Sequence, residues 1–217
     1  MTFTLAEEVV LLSLDGRSAP PPRHQAADWA AAGALLLELV MAGRVSLAGK
    51  HLELIDPTPT GLPLLDGRTA LIGAWLRGRS KRRVADWLTN DRPKAFGAAA
   101  QALREHGIVE ERKHHGPGAF PVRRSPGSDA SAEWELRARL AAVVLDGAEP
   151  DPRTAGLVAL LHSVELHELA LPGGPRRLVA ERAAEIAAGA WAAEPLRTAV
   201  RDVRAAMTAA TALTAAG

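Results

Sequence analysis

Ala26 to Met41 predicts a helix with Leu35, Leu36, Leu37, Leu39 and Val40 spread nearly all round it. A surface helix needs only one apolar stripe, so a helix apolar on every side must be enclosed by other elements. The rest of the chain is therefore expected to wrap this segment. Gly43 follows where a left-handed C-terminal cap is wanted. The longest apolar stretch, Ala30 to Ala42, is broken by Glu38 and is far short of the ~20 residues that span a bilayer.

The flanking sequence supplies the wrapping elements. Leu5 to Leu14 predicts a short helix, with Thr4 as cap and Glu7 three residues later, before Pro20-Pro21-Pro22 form a stiff loop. Val45-Ser46-Leu47 and Leu52-Glu53-Leu54-Ile55 alternate about Ala48 to His51, which predicts a small hairpin. Pro57 and Pro59 forbid regular helix until Leu64 to Leu76. Arg82 to Leu88 and Ala95 to His106 read as two helices, the second closed by Gly107. Ile108 to Lys113 and Ala119 to Arg123 read as a second hairpin across Gly116-Pro117-Gly118. Four more helices follow, over Trp134 to Leu145, Asp151 to Leu169, Arg176 to Ala187 and Trp191 to Leu213, with Pro195 in a first turn. The expectation is a mainly α protein, a compact helical bundle with two small β-hairpins, forming a single domain over residues 1–217. No linker and no fixed-period repeat is present.

Several kinds of chemistry are disfavoured. Cysteine is absent, which removes disulfides and thiolate metal sites and fits a reducing, cytoplasmic setting. The opening Met1-Thr2-Phe3-Thr4 has neither the basic region of a secretory signal nor a myristoylation pattern, so any membrane contact is expected to be peripheral. Abundant Ala, Arg, Gly and Pro suggest a GC-rich, bacterial genome. There is no nucleophile elbow and no glycine-rich phosphate cradle. Adjacent carboxylates such as Glu7-Glu8 and Glu110-Glu111 point apart and suggest no acid–base pair. His162 and His167, five apart on one expected helix, diverge too far to chelate zinc, which prefers a spacing of four. His114 and His115 fall at a hairpin tip. The chain therefore reads as non-enzymatic, with no cofactor and no metal.

What remains is charge. Leu76 to Arg124 holds twelve basic residues against five acids, while the rest of the chain holds fourteen against twenty. A basic middle with acidic flanks attracts anions locally without making the whole surface adhesive. Helix, helix and hairpin over Arg82 to Arg124 would suit a winged-helix nucleic-acid binder. The would-be recognition helix, however, offers only Gln101 to a base edge. An anionic headgroup needs only a few converging Arg and Lys and an apolar tip, for which Phe120 is available. A third reading is a protein-interaction module whose basic hairpin meets an acidic partner.

Four stretches carry a family resemblance. They are Leu5 to Leu12, Gly33 to Val45, the Asp56-Pro57-Thr58-Pro59-Thr60-Gly61-Leu62-Pro63-Leu64-Leu65-Asp66 block, and Asp151 to His162. In order and spacing they resemble the Golgi phosphoprotein 3 family, and Phe120 to Arg124 fits its bacterial branch. The resemblance implies a helical bundle that binds phosphatidylinositol 4-phosphate at a basic pocket, dips a hairpin into the membrane and bridges to protein cargo. The family's four headgroup residues are replaced here by Arg23, Ala32, Pro93 and Phe96. Arg23, Arg82, Arg83, Arg92 and Lys94 are the expected headgroup or anion contacts, and Phe120, Arg123 and Arg124 the expected membrane-facing hairpin. The expected function is peripheral binding of an anionic phospholipid or phosphoinositide headgroup, on the inner face of the membrane, with protein partners as an adaptor would have.

Overall fold

Residues 3–14, 21–78, 82–111, 122–126, 128, 130–188 and 194–215 are described by a computed structural model. Nine helices run among them: α1 (Leu5–Ser13), α2 (Pro21–Met41), α3 (Pro63–Leu76), α4 (Val84–Glu105), α5 (Ser131–Val144), α6 (Pro152–Ser163), α7 (His167–Ala170), α8 (Arg176–Ala187) and α9 (Glu194–Ala215). The protein is mainly α with small β-hairpins, as the sequence predicts.

The leucine-rich helix α2 sits at the centre and packs against α1, α4, α6 and α9. Leu35, Leu36, Leu37 and Leu39 are all sealed from solvent. Helices approach α2 closely where it lacks side chains. A Cβ on Gly33 would lie 2.6 Å from Met207 Sδ of α9, and one on Gly156 of α6 would lie 2.7 Å from Leu37 Cδ2. Gly43 takes φ 68° and ends the helix as expected.

Glu38 is buried within this apolar helix, and the structure supplies the reason. Arg153, in the first turn of α6, donates to Glu38 and to the Phe3 carbonyl, and reaches Glu8 at 3.4 Å. Leu5 N–H also donates to Glu38 at 2.8 Å, and Arg139 donates to Glu8 at 2.9 Å. Burial pushes the Glu38 carboxyl above its ordinary range, while Arg153 and Leu5 pull it back. Asp151 caps α6 through the Arg153 and Thr154 amides at 2.9 and 3.1 Å. At α1, Thr4 and Glu7 form the reciprocal capping box that the sequence predicts.

The first hairpin pairs β1 (Val45–Ala48) with β2 (His51–Leu54), in the register Val45 to Leu54. It gains a third strand that the sequence reading missed, β3 (Arg82–Arg83), antiparallel to β2 with Leu52 opposite Arg82. A two-residue strand carries too little alternation to be read from sequence. β4 (Val109–Glu111) and β5 (Val122–Arg124) form the second hairpin, with Glu110 opposite Arg123. Its expected Gly116-Pro117-Gly118 turn, with His114 and His115, lies outside the described residues.

Two boundaries differ from expectation for physical reasons. The two helices expected over Arg82 to Leu88 and Ala95 to His106 are one helix, α4, with Pro93 inside it. Proline removes one backbone hydrogen bond. Yet Val84, Trp87, Leu88, Asp91, Ala95, Ala99 and Leu103 form one continuous buried stripe, whose packing holds the helix through that defect. Conversely, the helix expected over Asp151 to Leu169 breaks after Ser163. Glu165 adopts φ 58°, and Leu166 N–H turns back to Leu161 O at 2.8 Å before α7 begins.

Candidate anion-binding site

β3 and α4 carry most of the expected contacts, and aromatic rings position two of them. Arg82 lies over the Trp75 ring of α3, 4.4 Å from its centroid, and Trp75 in turn meets Trp87 of α4 edge-on at 5.5 Å. Arg92 lies over Trp29 of α2, 5.0 Å from its centroid. A guanidinium over an indole face is attracted by the ring quadrupole and keeps its in-plane N–H donors directed sideways. The Nε atoms of Arg82 and Arg92 are buried with no hydrogen-bond partner. Neither arginine is ion-paired among the described residues.

Asp28 is the acid nearest in effect to Arg92. Burial raises its carboxyl to about 6, with the Arg92 charge pulling the other way. Trp29 and Asp28 of α2 thus both act on Arg92 of α4, one as a ring beneath it and one as an opposing charge. The sequence reading missed Trp29 and Asp28. Both stand inside an apolar helix, and no spacing rule links them to a residue more than sixty positions away.

The remaining expected contacts have other surroundings. Lys94 is exposed two residues after Arg92, and a helix places such neighbours roughly 200° apart. It stands on the shoulder of α4 that faces α3. There Arg68 and Asp91 form a buried ion pair at 3.0 Å, and the Lys94 carbonyl accepts from Arg68 at 3.2 Å. Burial raises the Asp91 carboxyl against the pull of Arg68 and Lys94. Arg83 is exposed at the sheet edge. Arg23 stands in the first turn of α2 with its side chain outside the described residues, as is Phe120 altogether. Ala32 and Phe96, two of the replaced family positions, are buried in the core.

On the second hairpin both arginines are committed to acids. Arg123 meets Glu110 across the strands at 2.6 Å, and Arg124 pairs with the buried Glu133 of α5. Arg137 shares Glu133 at 3.1 Å. Beside this pairing, Trp134 projects outward with 71% of its surface exposed, an apolar feature that the sequence reading did not single out.

The merging of α4 also removes the turn that a winged-helix reading needs. The would-be recognition helix is the second half of α4, and its Ala95, Phe96, Ala99, Ala100 and Leu103 face the core. Among the described residues no helix is long and apolar enough to cross a membrane. No group of three or more His, Asp or Glu among them is placed to hold a metal ion.

The fold and site define a class: a helical bundle wound round one enclosed helix, edged by two small sheets, with arginines held on tryptophan rings. The chain belongs to the Golgi phosphoprotein 3 (GPP34) family, whose model matches residues 5–203. No curated protein gives a significant match.

Proposed function

We propose that this protein is a peripheral, non-enzymatic binder of anionic phospholipid headgroups, of the phosphoinositide type, acting at the cytoplasmic face of a bacterial membrane. The observation that carries the reading is Arg92: half-buried, lying over Trp29 with its guanidinium carbon 5.0 Å from the ring centroid, and without an ion-pair partner among the described residues. A desolvated guanidinium with unused donors matches a phosphate in charge and geometry. The Trp29 ring orders it in advance, so little side-chain freedom is lost on binding. Family membership supports the same reading.

Arg82, Arg83 and Lys94 act differently in this account. Arg82 is held on Trp75, Arg83 is exposed on the edge strand, and Lys94 points away from Arg92 round α4, so they instead raise the local potential that draws the protein to an acidic surface. Arg123 and Arg124 contribute little, because their charges are already spent on Glu110 and Glu133. Trp134, exposed beside the Arg124–Glu133 pair, supplies the apolar contact.

The test is co-sedimentation with vesicles. Neutral phosphatidylcholine vesicles should leave the protein in solution, and vesicles containing phosphatidylinositol 4-phosphate should carry it down. Arg92→Gln should weaken that partitioning roughly tenfold, the worth of one charged hydrogen-bonding group. Equal partitioning to neutral and acidic vesicles at low salt would remove the proposal.

A further inference from the structure

A polar cleft that does not include Arg92 or Trp29 lies beside α6 and α9. It has a volume of about 1020 Å³ and opens where α6 ends, bounded by α7, by the start of α8 and by α9. The reversal at Glu165 shapes its floor. That residue's positive φ is strained for a side chain other than glycine, and the buried Leu166 anchors the turn. The reversal brings the His162 and His167 rings to 5.6 Å between centroids, although five residues on a continuous helix would have parted them. Each ring leaves its Nδ1 buried without a hydrogen-bond partner.

The opposite wall is cationic. Arg204 of α9 donates to Ser163 Oγ at 2.7 Å and to the Ala187 carbonyl at 2.8 Å. Both acceptors are neutral, so the guanidinium charge is uncompensated by any described carboxylate. Arg201, one turn earlier, donates to Thr198 Oγ1 at 3.3 Å and likewise has no described acid partner. Arg176 of α8 is paired with Glu168 at 3.4 Å, which cancels both. Among the described residues Glu165 is the one further acid in the lining, and α2 contributes only Ala26. The cleft therefore has a cationic surplus even with both imidazoles neutral.

We propose that this cleft binds a dianionic phosphate-type group, held by Arg201 and Arg204 and gripped more tightly when His162 and His167 carry protons. Two neighbouring imidazoles resist joint protonation unless an anion sits with them. Burial, then His167 and Arg204, already holds His162 below its ordinary value, with Glu165 pulling the other way. A bound dianion reverses that balance, so affinity rises as pH falls. The ligand is a soluble phosphate ester or a lipid phosphate, which share this chemistry.

The test follows the imidazole proton resonances of His162 and His167 during titration with sulfate. Sulfate stays a dianion throughout, so any pH dependence belongs to the protein. The Arg92→Gln background keeps the Arg92–Trp29 contact out of the readout, so this experiment stands or falls apart from the lipid-binding proposal. Both resonances should move saturably, with affinity several-fold higher at about pH 5.5 than at about pH 7.5. Arg201→Gln, a change at an exposed site, should weaken binding roughly tenfold. Replacing both, His162→Gln with His167→Gln, should remove most of the pH dependence, read from the change in sulfate affinity by calorimetry. Resonances that stay still, or that move equally with chloride at matched ionic strength, would overturn the proposal. Glycerol 1-phosphate and phosphatidic acid vesicles then separate the sources: competition by the ester marks a soluble ligand, competition by vesicles alone a lipid, and competition by neither also overturns the proposal.

Discussion

Arginine residues of equal formal charge play unequal parts in this structure, and their neighbours decide which. Arg123 faces Glu110 at 2.6 Å in solvent, where a pair contributes little and its charge is locally cancelled. Arg92 rests on Trp29 with its nearest opposing charge, Asp28, half-neutralised near pH 6. Arg123→Gln should therefore leave vesicle binding within about twofold, whereas Arg92→Gln weakens it roughly tenfold. Asp28 adds a pH dependence. Its raised carboxyl means that the folded protein holds the proton more tightly than the unfolded chain does. Stability therefore declines as pH rises from the ordinary carboxylate range through about 6. Below that value Asp28 is uncharged and no longer competes for Arg92, so vesicle binding should strengthen as pH falls. Asp28→Asn should bind more tightly at neutral pH and lose that dependence, as measured by co-sedimentation across the titration. None of this was legible in the sequence. A count of charges over Leu76 to Arg124 locates a basic surplus, but cannot say which guanidinium meets a carboxylate and which an indole.

Among the elements, the helices legible in sequence were those whose signals are local. Thr4 with Glu7, Gly43 after the leucines, and the span of α8 all rest on capping chemistry or periodicity within a few residues. α4 was misread because Pro93 is a local signal outvoted by a distant one, the buried stripe running its whole length. Restoring the missing amide with Pro93→Ala should stabilise the protein, by up to about 3 kcal/mol in chemical denaturation. A drop in stability would mean that the proline relieves a clash in α4. The same lesson applies at the α6 break. Leu166 is buried 2% exposed, and pulling it inward forces Glu165 to a positive φ that no helix-stop residue announces.

Across the molecule, three of the four stretches that carry the family resemblance meet in one buried ion-pair network. Arg153 of α6 bridges Glu8 of α1 and Glu38 of α2, and Asp151 caps the helix that presents Arg153. The fourth stretch forms a loop pinned by its own carboxylates. Thr60 donates through its amide and hydroxyl to Asp66 at 2.6 and 2.7 Å, and Arg44 pairs with Asp56. These recurrent residues thus secure the fold, while the candidate site uses residues outside them. That division explains why the family was legible from sequence and the site was not. Arg153→Met should cost about 3 kcal/mol in denaturant unfolding, because buried Glu38 loses its only cationic partner among the described residues and Glu8 keeps only Arg139. Binding by the surviving folded protein should be unchanged.

The most direct measurement is a crystal structure of the protein with the soluble headgroup glycerophosphoinositol 4-phosphate. A phosphate oxygen should lie about 3 Å from the Arg92 guanidinium, with Trp29 still beneath it. A headgroup bound on another face, in the α6–α9 cleft or against the second hairpin, with Arg92 taking no part, would contradict the account.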